Sequence, residues 1–318
     1  MNEDYLWDKT GEPDPEIQRL EGLLSPLGHK GGALPAWPAP RRRWLPMTLA
    51  LAASLLIIFG AVWMLRVRSR PAWQVSTIQG APGITRLSKG QSFTTDDRSR
   101  VRLDMDDVGE VVVEPNSKMS VIATRPEEQR LSLEHGKIHA EIWAPPGRFY
   151  VNTPSAQTVD LGCQYTLEVN TKGEGLVRVS VGWVAFENDG RESFIPADAA
   201  CVTRPGKGPG IPYYEDASQA LRDAVNRFDV DTDEAAAKVI LSQARPRDAI
   251  TLWHLLRRVP AVDRGSVYDR LAQFIKTPAD VTRDGVVAAN PQMIDSLWNA
   301  LDLGTTSWWR TWKTNAPK

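Results

Sequence analysis

The spacing of apolar and polar positions changes three times along this chain and divides it into four parts. From 44 to 65 (WLPMTLALAASLLIIFGAVWML) there is no charged side chain over 22 positions, and arginines flank both sides: Arg41, Arg42 and Arg43, then Arg66, Arg68 and Arg70. As a helix this stretch would reach roughly 33 Å at about 1.5 Å per residue, enough for a hydrocarbon core of about 30 Å. Trp44 and Trp63 fall near its ends, at the headgroup level that indoles favour. One transmembrane helix is expected. The run starts too late and is too long for a cleaved signal, and arginines follow it where small residues should stand.

Ahead of it, residues 1–43 hold one short amphipathic segment. Asp14, Pro15 and Glu16 read as N-cap, first helical position and acidic first turn, and Ile17, Leu20 and Leu24 then fall at i, i+3 and i+7. The helix should stop near Ser25-Pro26, and the Gly- and Pro-rich stretch 31–40 cannot continue it. About ten residues are marginal as an isolated helix, so the apolar stripe calls for a partner.

From Trp73 to about Val202 the period becomes two. Val101 and Leu103, Val111 and Val113, Met119 and Val121, Leu131 and Leu133, Ile138, Ala140 and Ile142, Phe149 and Val151, Tyr165, Leu167 and Val169, and Val177, Val179 and Val181 each mark one buried strand face. Asp107-Val108-Gly109, His135-Gly136, Pro145-Pro146-Gly147, Lys172-Gly173 and Asn188-Asp189-Gly190 read as turns between them. An all-β domain of many short strands, almost without helix, is expected over 73–213.

Past Tyr214 the period becomes helical. Leu221, Val225 and Phe228 share a face, as do Val267, Leu271 and Phe274; Asn290-Pro291 opens a helix with Ile294, Leu297, Trp298 and Leu301 on one side. Asp231 with Glu234 reads as a capping box, and Pro246, Pro260 and Pro278 punctuate the rest. A bundle of four to six helices is expected over 214–318. Its closing Trp308, Trp309 and Trp312 read as packing back onto the bundle or as an interfacial patch.

Composition narrows the function. Of 318 residues, 38 are basic and 39 acidic, so no cationic excess favours nucleic acid as a partner. The motifs of hydrolases, phosphate-binding loops and zinc peptidases are missing; Gly206 to Gly210 lacks the Ser or Thr and the strand-to-helix setting of a phosphate loop. An enzyme is not expected, nor a cofactor. His135 and His139 are the nearest approach to a metal pair, but Gly136 stands between them and no further ligand is in sight, so no metal site is assigned.

The order of strands and turns resembles the FecR family. Its opening pattern is matched by Leu87, Gly90, Val101, Leu103, Gly109, Val111, Val113, Pro115 and Ser117. Its second half is matched by Leu133 with Gly136, by Phe149, Val151, Thr153 and Pro154, by Gly162 to Tyr165, and by Val179, Val181, Gly182 and Val184. The resemblance covers about 73–203; Cys163 stands where the family usually has Thr, and Tyr165 where it has Phe. It implies a periplasmic β domain behind one span, a cytoplasmic tail that binds an extracytoplasmic-function sigma factor, and an outer domain that receives an envelope signal. Ile17, Leu20 and Leu24 are then the tail residues expected to meet the sigma factor. The histidines and cysteines do not form the cluster that some zinc-bearing anti-sigma tails use, so tail binding should rest on packing.

Charge flanking the span settles orientation only weakly: Lys30, Arg41, Arg42 and Arg43 against Arg66, Arg68 and Arg70. The slight excess, the tight triplet beside Trp44 and the resemblance together favour a bacterial inner-membrane protein, single-pass, with its N-terminus in the cytoplasm and the domains beyond the span in the periplasm. In that compartment Cys163 and Cys201 could bond within one fold, whereas two small buried thiols are the commoner outcome. A second class of function stays open: an envelope scaffold or ligand-binding module with no sigma-factor partner.

Overall fold

The computed structural model describes residues 14–28, 72–80 and 83–303, with positions 10, 12, 31 and 56. It divides into two units, Met1–Arg66 and Val67–Lys318. In the first, helix α1 (Pro15–Leu24) begins as its capping residues require: the Asp14 carboxylate accepts from the Glu16 N–H at 2.9 Å, and Pro15 sits where no helical N–H is missed. Pro26 converts the end into a 3-10 turn, Ser25–Leu27. The expected span at 44–65 lies outside the described residues apart from Leu56. Among the described residues no helix is long and apolar enough to cross a membrane.

The second unit begins with sixteen strands: β1 (Trp73–Gln79), β2 (Arg86–Leu87), β3 (Ser92–Thr94), β4 (Arg100–Asp104), β5 (Gly109–Val113), β6 (Lys118–Arg125), β7 (Glu128–Ile142), β8 (Phe149–Asn152), β9 (Gln157–Asp160), β10 (Gln164–Val169), β11 (Gly175–Val181), β12 (Trp183–Asn188), β13 (Arg191–Pro196), β14 (Ala199–Arg204), β15 (Gly208–Pro209) and β16 (Tyr213–Tyr214). One sheet runs β2-β1-β4-β5-β7-β10-β11-β14, with β15 and β16 on β14; the other runs β3-β6-β7-β8-β9-β12-β13. All pairs are antiparallel except β7 with β8. The alternating residues read from the sequence are the buried ones, and both sheets contribute to one apolar core: Val101, Leu103, Val111 and Ile138 from the first, Leu131, Leu133, Phe149 and Phe186 from the second.

Strand β7 belongs to both sheets, and Gly136 is where it changes allegiance. Residues 128–135 pair with β6 and residues 136–141 with β10. Across the change the buried set slips from odd positions (Leu131, Leu133) to even ones (Ile138, Ala140, Ile142). Gly136 has φ of 110°, and a Cβ there would run into Ser117. The Ser117 hydroxyl accepts from the Lys137 N–H at 3.0 Å, supplying the acceptor the kinked ladder lacks. His135-Gly136, read as a turn, is therefore a mid-strand bend: a glycine needed for positive φ looks the same in either setting.

Helices follow: α2 (Gln219–Asp231), α3 (Glu234–Gln243), α4 (Ala249–Leu256), α5 (Ala261–Leu271), α6 (Arg283–Val287) and α7 (Pro291–Asn299). Asp231 is the last residue of α2 and does not cap α3. Thr232 takes the left-handed C-cap conformation, and the Asp233 carboxylate accepts from the Ala235 N–H. The cap expected at Asn290 is present, accepting from Gln292 and Met293. All eight residues of α4 are buried, so it has no polar face and serves as the central post. The tryptophans at 308, 309 and 312 lie outside the described residues.

Candidate functional site

Helix α1 presents the expected stripe and more. None of its residues is buried; Ile17 is half-covered, while Leu20, Leu23, Leu24 and Leu27 are exposed. Leu23 and Leu27 were not part of the expected set. Their spacing from Leu20 and Leu24 carried the signal, because i, i+3, i+4 and i+7 together widen a narrow seam into a face broad enough to lie in a groove.

In the second unit, three buried titratable side chains, Asp229, His254 and Arg258, gather where α2 and α4 meet β13. β13 pairs only with β12 among the described strands, so its outward N–H groups need other acceptors. His254 of α4 supplies one: its Nε2 accepts from the Phe194 N–H at 3.1 Å, and its Nδ1 lies 2.9 Å from the Ile250 carbonyl. A ring that accepts at one nitrogen and donates at the other is neutral. Burial first, and the Arg258 charge second, hold its pKa well below the ordinary histidine range. Trp253 and Trp298 meet the ring edge-on, with centroids 4.9 and 6.4 Å away.

Beside it Asp229 occupies the last turn of α2, where the helix dipole disfavours a carboxylate. Its partners compensate. Oδ2 accepts from the Ile211 N–H at 2.7 Å, and Oδ1 stands 3.3 Å from Arg258 Nη1. Gly210 is glycine because a Cβ would meet this carboxylate. Arg258 also donates through Nη2 to Ser193 Oγ at 2.5 Å and the Glu192 carbonyl at 3.2 Å. Burial still pushes the Asp229 pKa up and pulls Arg258 down to about 10, so desolvation outweighs the attraction within the pair. Above them, the β12–β13 turn at Asp189-Gly190, the β14–β15 turn at Lys207 and the C-terminal ends of α2 and α4 enclose a cleft of about 490 Å³.

Cys163 and Cys201 are both buried free thiols, so the bond left open by the sequence is not formed. Cys201 is in register with Val177 of β11, which faces Leu167 of β10. Two strand spacings of about 4.8 Å and four residues of about 3.3 Å put the two Cα atoms roughly 16 Å apart, beyond the ~7 Å a disulfide can span. The Cys163 thiol instead donates to Asp160 Oδ2, and Oδ1 of the same carboxylate accepts from the Gly162 N–H at 2.7 Å. Burial raises Asp160 from 3.8 to about 7 against both bonds. His139 is engaged by Glu114 at 3.0 Å and Thr166 at 2.9 Å, and His135 stands in register with Lys118. No set of three or more metal-capable side chains converges among the described residues.

Residues 91–185, from just before β3 into β12, match the family model for FecR protein. Strands β1 and β2 and all of α2–α7 fall outside that match, which is narrower than the 73–203 expected. Two crystal structures of an anti-sigma-factor candidate from Parabacteroides distasonis, at 1.65 and 2.50 Å resolution, are similar at 15% identity and a TM-score of 0.35. Each match covers 42% of this chain and 63% of that one. No curated protein matches.

Proposed function

We propose that the protein is a single-pass inner-membrane regulator of an extracytoplasmic-function sigma factor. Residues 1–43 lie in the cytoplasm and hold the sigma factor through the apolar face of α1; residues 44–65 cross the bilayer; the FecR domain and the helices behind it lie in the periplasm and receive the signal. The observation that carries this reading is the order of parts: a match to the FecR family model at 91–185 behind a 22-residue uncharged stretch, with an exposed leucine face on α1 ahead of it. Signalling then requires a ligand or partner that binds one arrangement of the outer domain better than another, with the difference felt by the tail.

The test uses the full-length chain, tagged and captured from detergent-solubilised membranes. A sigma factor should co-purify with the wild type and be lost with Leu20→Asp/Leu24→Asp, since a carboxylate has no partner in an apolar groove. Both proteins should remain in the membrane fraction. Equal capture by the two, or capture of no sigma factor by either, removes the regulator reading and leaves the envelope scaffold or ligand-binding module.

A further inference from the structure

The loop from β7 to β8 exposes an apolar surface. Over residues 143–148, Trp143, Pro145, Pro146 and Arg148 are exposed, while Ala144 and Gly147 are buried. Trp143 leaves 57% of its surface open, more than any other described tryptophan. Val181, 54% exposed, shares its outer face: Glu141, Gln164 and Val181 are register partners across β7, β10 and β11, and Trp143 stands two residues beyond Glu141. Continuing that register sets Gly162, which has no side chain to cover an indole, opposite Trp143.

This is also the end of the domain at which the chain enters it. Trp73, the first residue of β1, donates its indole N–H to Gln129 Oε1 at 2.7 Å, and the Gln129 N–H donates to the Arg148 carbonyl at 2.7 Å. Gln74 pairs with Asp104, and the turn that follows β4 accepts the Trp143 N–H at the Val108 carbonyl. Residues 66–72 alone separate Trp73 from the uncharged stretch 44–65, and seven residues reach at most about 25 Å. With that stretch in the bilayer, the tether keeps this end near the headgroups, where even a weak contact is populated. An indole beside prolines and a guanidinium has the composition of an interfacial anchor. Exposed Asp106 and Asp107 in the neighbouring turn offset Arg86 and Arg148, so the attraction rests on the indole and not on net charge.

We propose that Trp143 inserts among the headgroups of the bilayer that residues 44–65 cross, docking this end of the β domain on the phospholipid surface. The inference rests on the span in the proposed function and is independent of the sigma factor.

Tryptophan fluorescence of the full-length chain tests it, in nanodiscs of phosphatidylcholine with or without bromine near the top of the acyl chains. The emission that the wild type has in excess of Trp143→Phe belongs to this indole, and the exposed position should tolerate the change. That excess should fall at least twofold in brominated lipid and respond little to iodide in the water. An excess untouched by bromine overturns the docking, because the indole then faces water or protein. Trp143→Phe by itself reports on the span, since bromine should quench its remaining Trp44 and Trp63. Absence of that quenching overturns the span and the docking together, whereas its persistence beside an unquenched excess overturns the docking alone.

Discussion

Replacing His254 with Gln should unmask a pH dependence that the wild-type protein conceals. In the native state the imidazole accepts the Phe194 N–H and stays neutral; unfolded, it takes up a proton near pH 6.5. With the folded pKa depressed, its contribution is present above pH 6.5 and is lost as pH falls, by about 1.4 kcal/mol per unit for as long as the native ring stays neutral. Asp160 works with the opposite sign. Its folded pKa is raised from 3.8 to about 7, so its contribution is fully present below pH 3.8 and is lost as pH rises through 7. That difference amounts to about 4 kcal/mol across the window.

Between pH 6.5 and 5 the unfolded chain carries a proton on His254 and none on Asp160, while the native protein carries the reverse. Proton counts match and these two slopes cancel. His254→Gln keeps an acceptor for Phe194 but cannot titrate, so relative to wild type it should gain about 2 kcal/mol on going from pH 6.5 to 5. Asp160→Asn should lose a similar amount relative to wild type over the same interval. Asp229, also pushed up by burial, is present in all three proteins and drops out of the differences. At pH 7.5 His254→Gln should cost about 1–2 kcal/mol for its two ring contacts, and His254→Leu about 1–3 kcal/mol more for removing the acceptor of a buried N–H. Urea unfolding of the full-length chain in detergent at a series of pH values gives these differences. Parallel curves for wild type and His254→Gln would refute a histidine held neutral at β13.

Gly136→Ala places a Cβ at a φ of 110° and against Ser117, and should lower stability by about 2–4 kcal/mol, read as a shift in urea midpoint; an unchanged midpoint would mean the β7 bend is not fixed by this residue. For topology, a reporter active only in the periplasm should be active when fused after Lys318 and silent when fused before Met1, and the reverse pattern would place the FecR domain in the cytoplasm and end the regulator reading.

The strands were legible because a half-buried sheet writes its inner face at every second residue: Val101 and Leu103, read separately from Val111 and Val113, turn out to be register partners. α1 was legible for a similarly local reason, its cap and its stripe lying within a dozen residues. Other features lacked a local mark. The phase slip at Gly136 uses the same residue as a turn. Asp231 and Asp233 both satisfy the composition of a cap, and only the αL conformation of Thr232 selects the second. His254 meets its partner Phe194 across 60 residues, and Asp229 meets Arg258 across 29, so neither pair has any signature in a window that periodicity can scan. The uniformly apolar ITLWHLL segment of α4 could have announced a helix buried on all sides, with its single histidine as the group needing a partner.

Because β7 is spliced into both sheets, the order in which the chain is made constrains the order in which it can fold. Strands β1, β2, β4 and β5 emerge first and can form a local meander, yet their sheet has no continuation until residues 136–142 are available, and β3 and β6 wait likewise for residues 128–135. The same strand later receives β8 and β10, so a single fifteen-residue segment closes the early half and templates the late one. The last strand of the second sheet, β13, obtains the Phe194 acceptor only when His254 arrives, 60 residues later. Long-range pairings of this kind are slow to close and leave edges open while they wait. The interval between the arrival of β7 and the docking of α4 is the period of greatest exposure to misassembly.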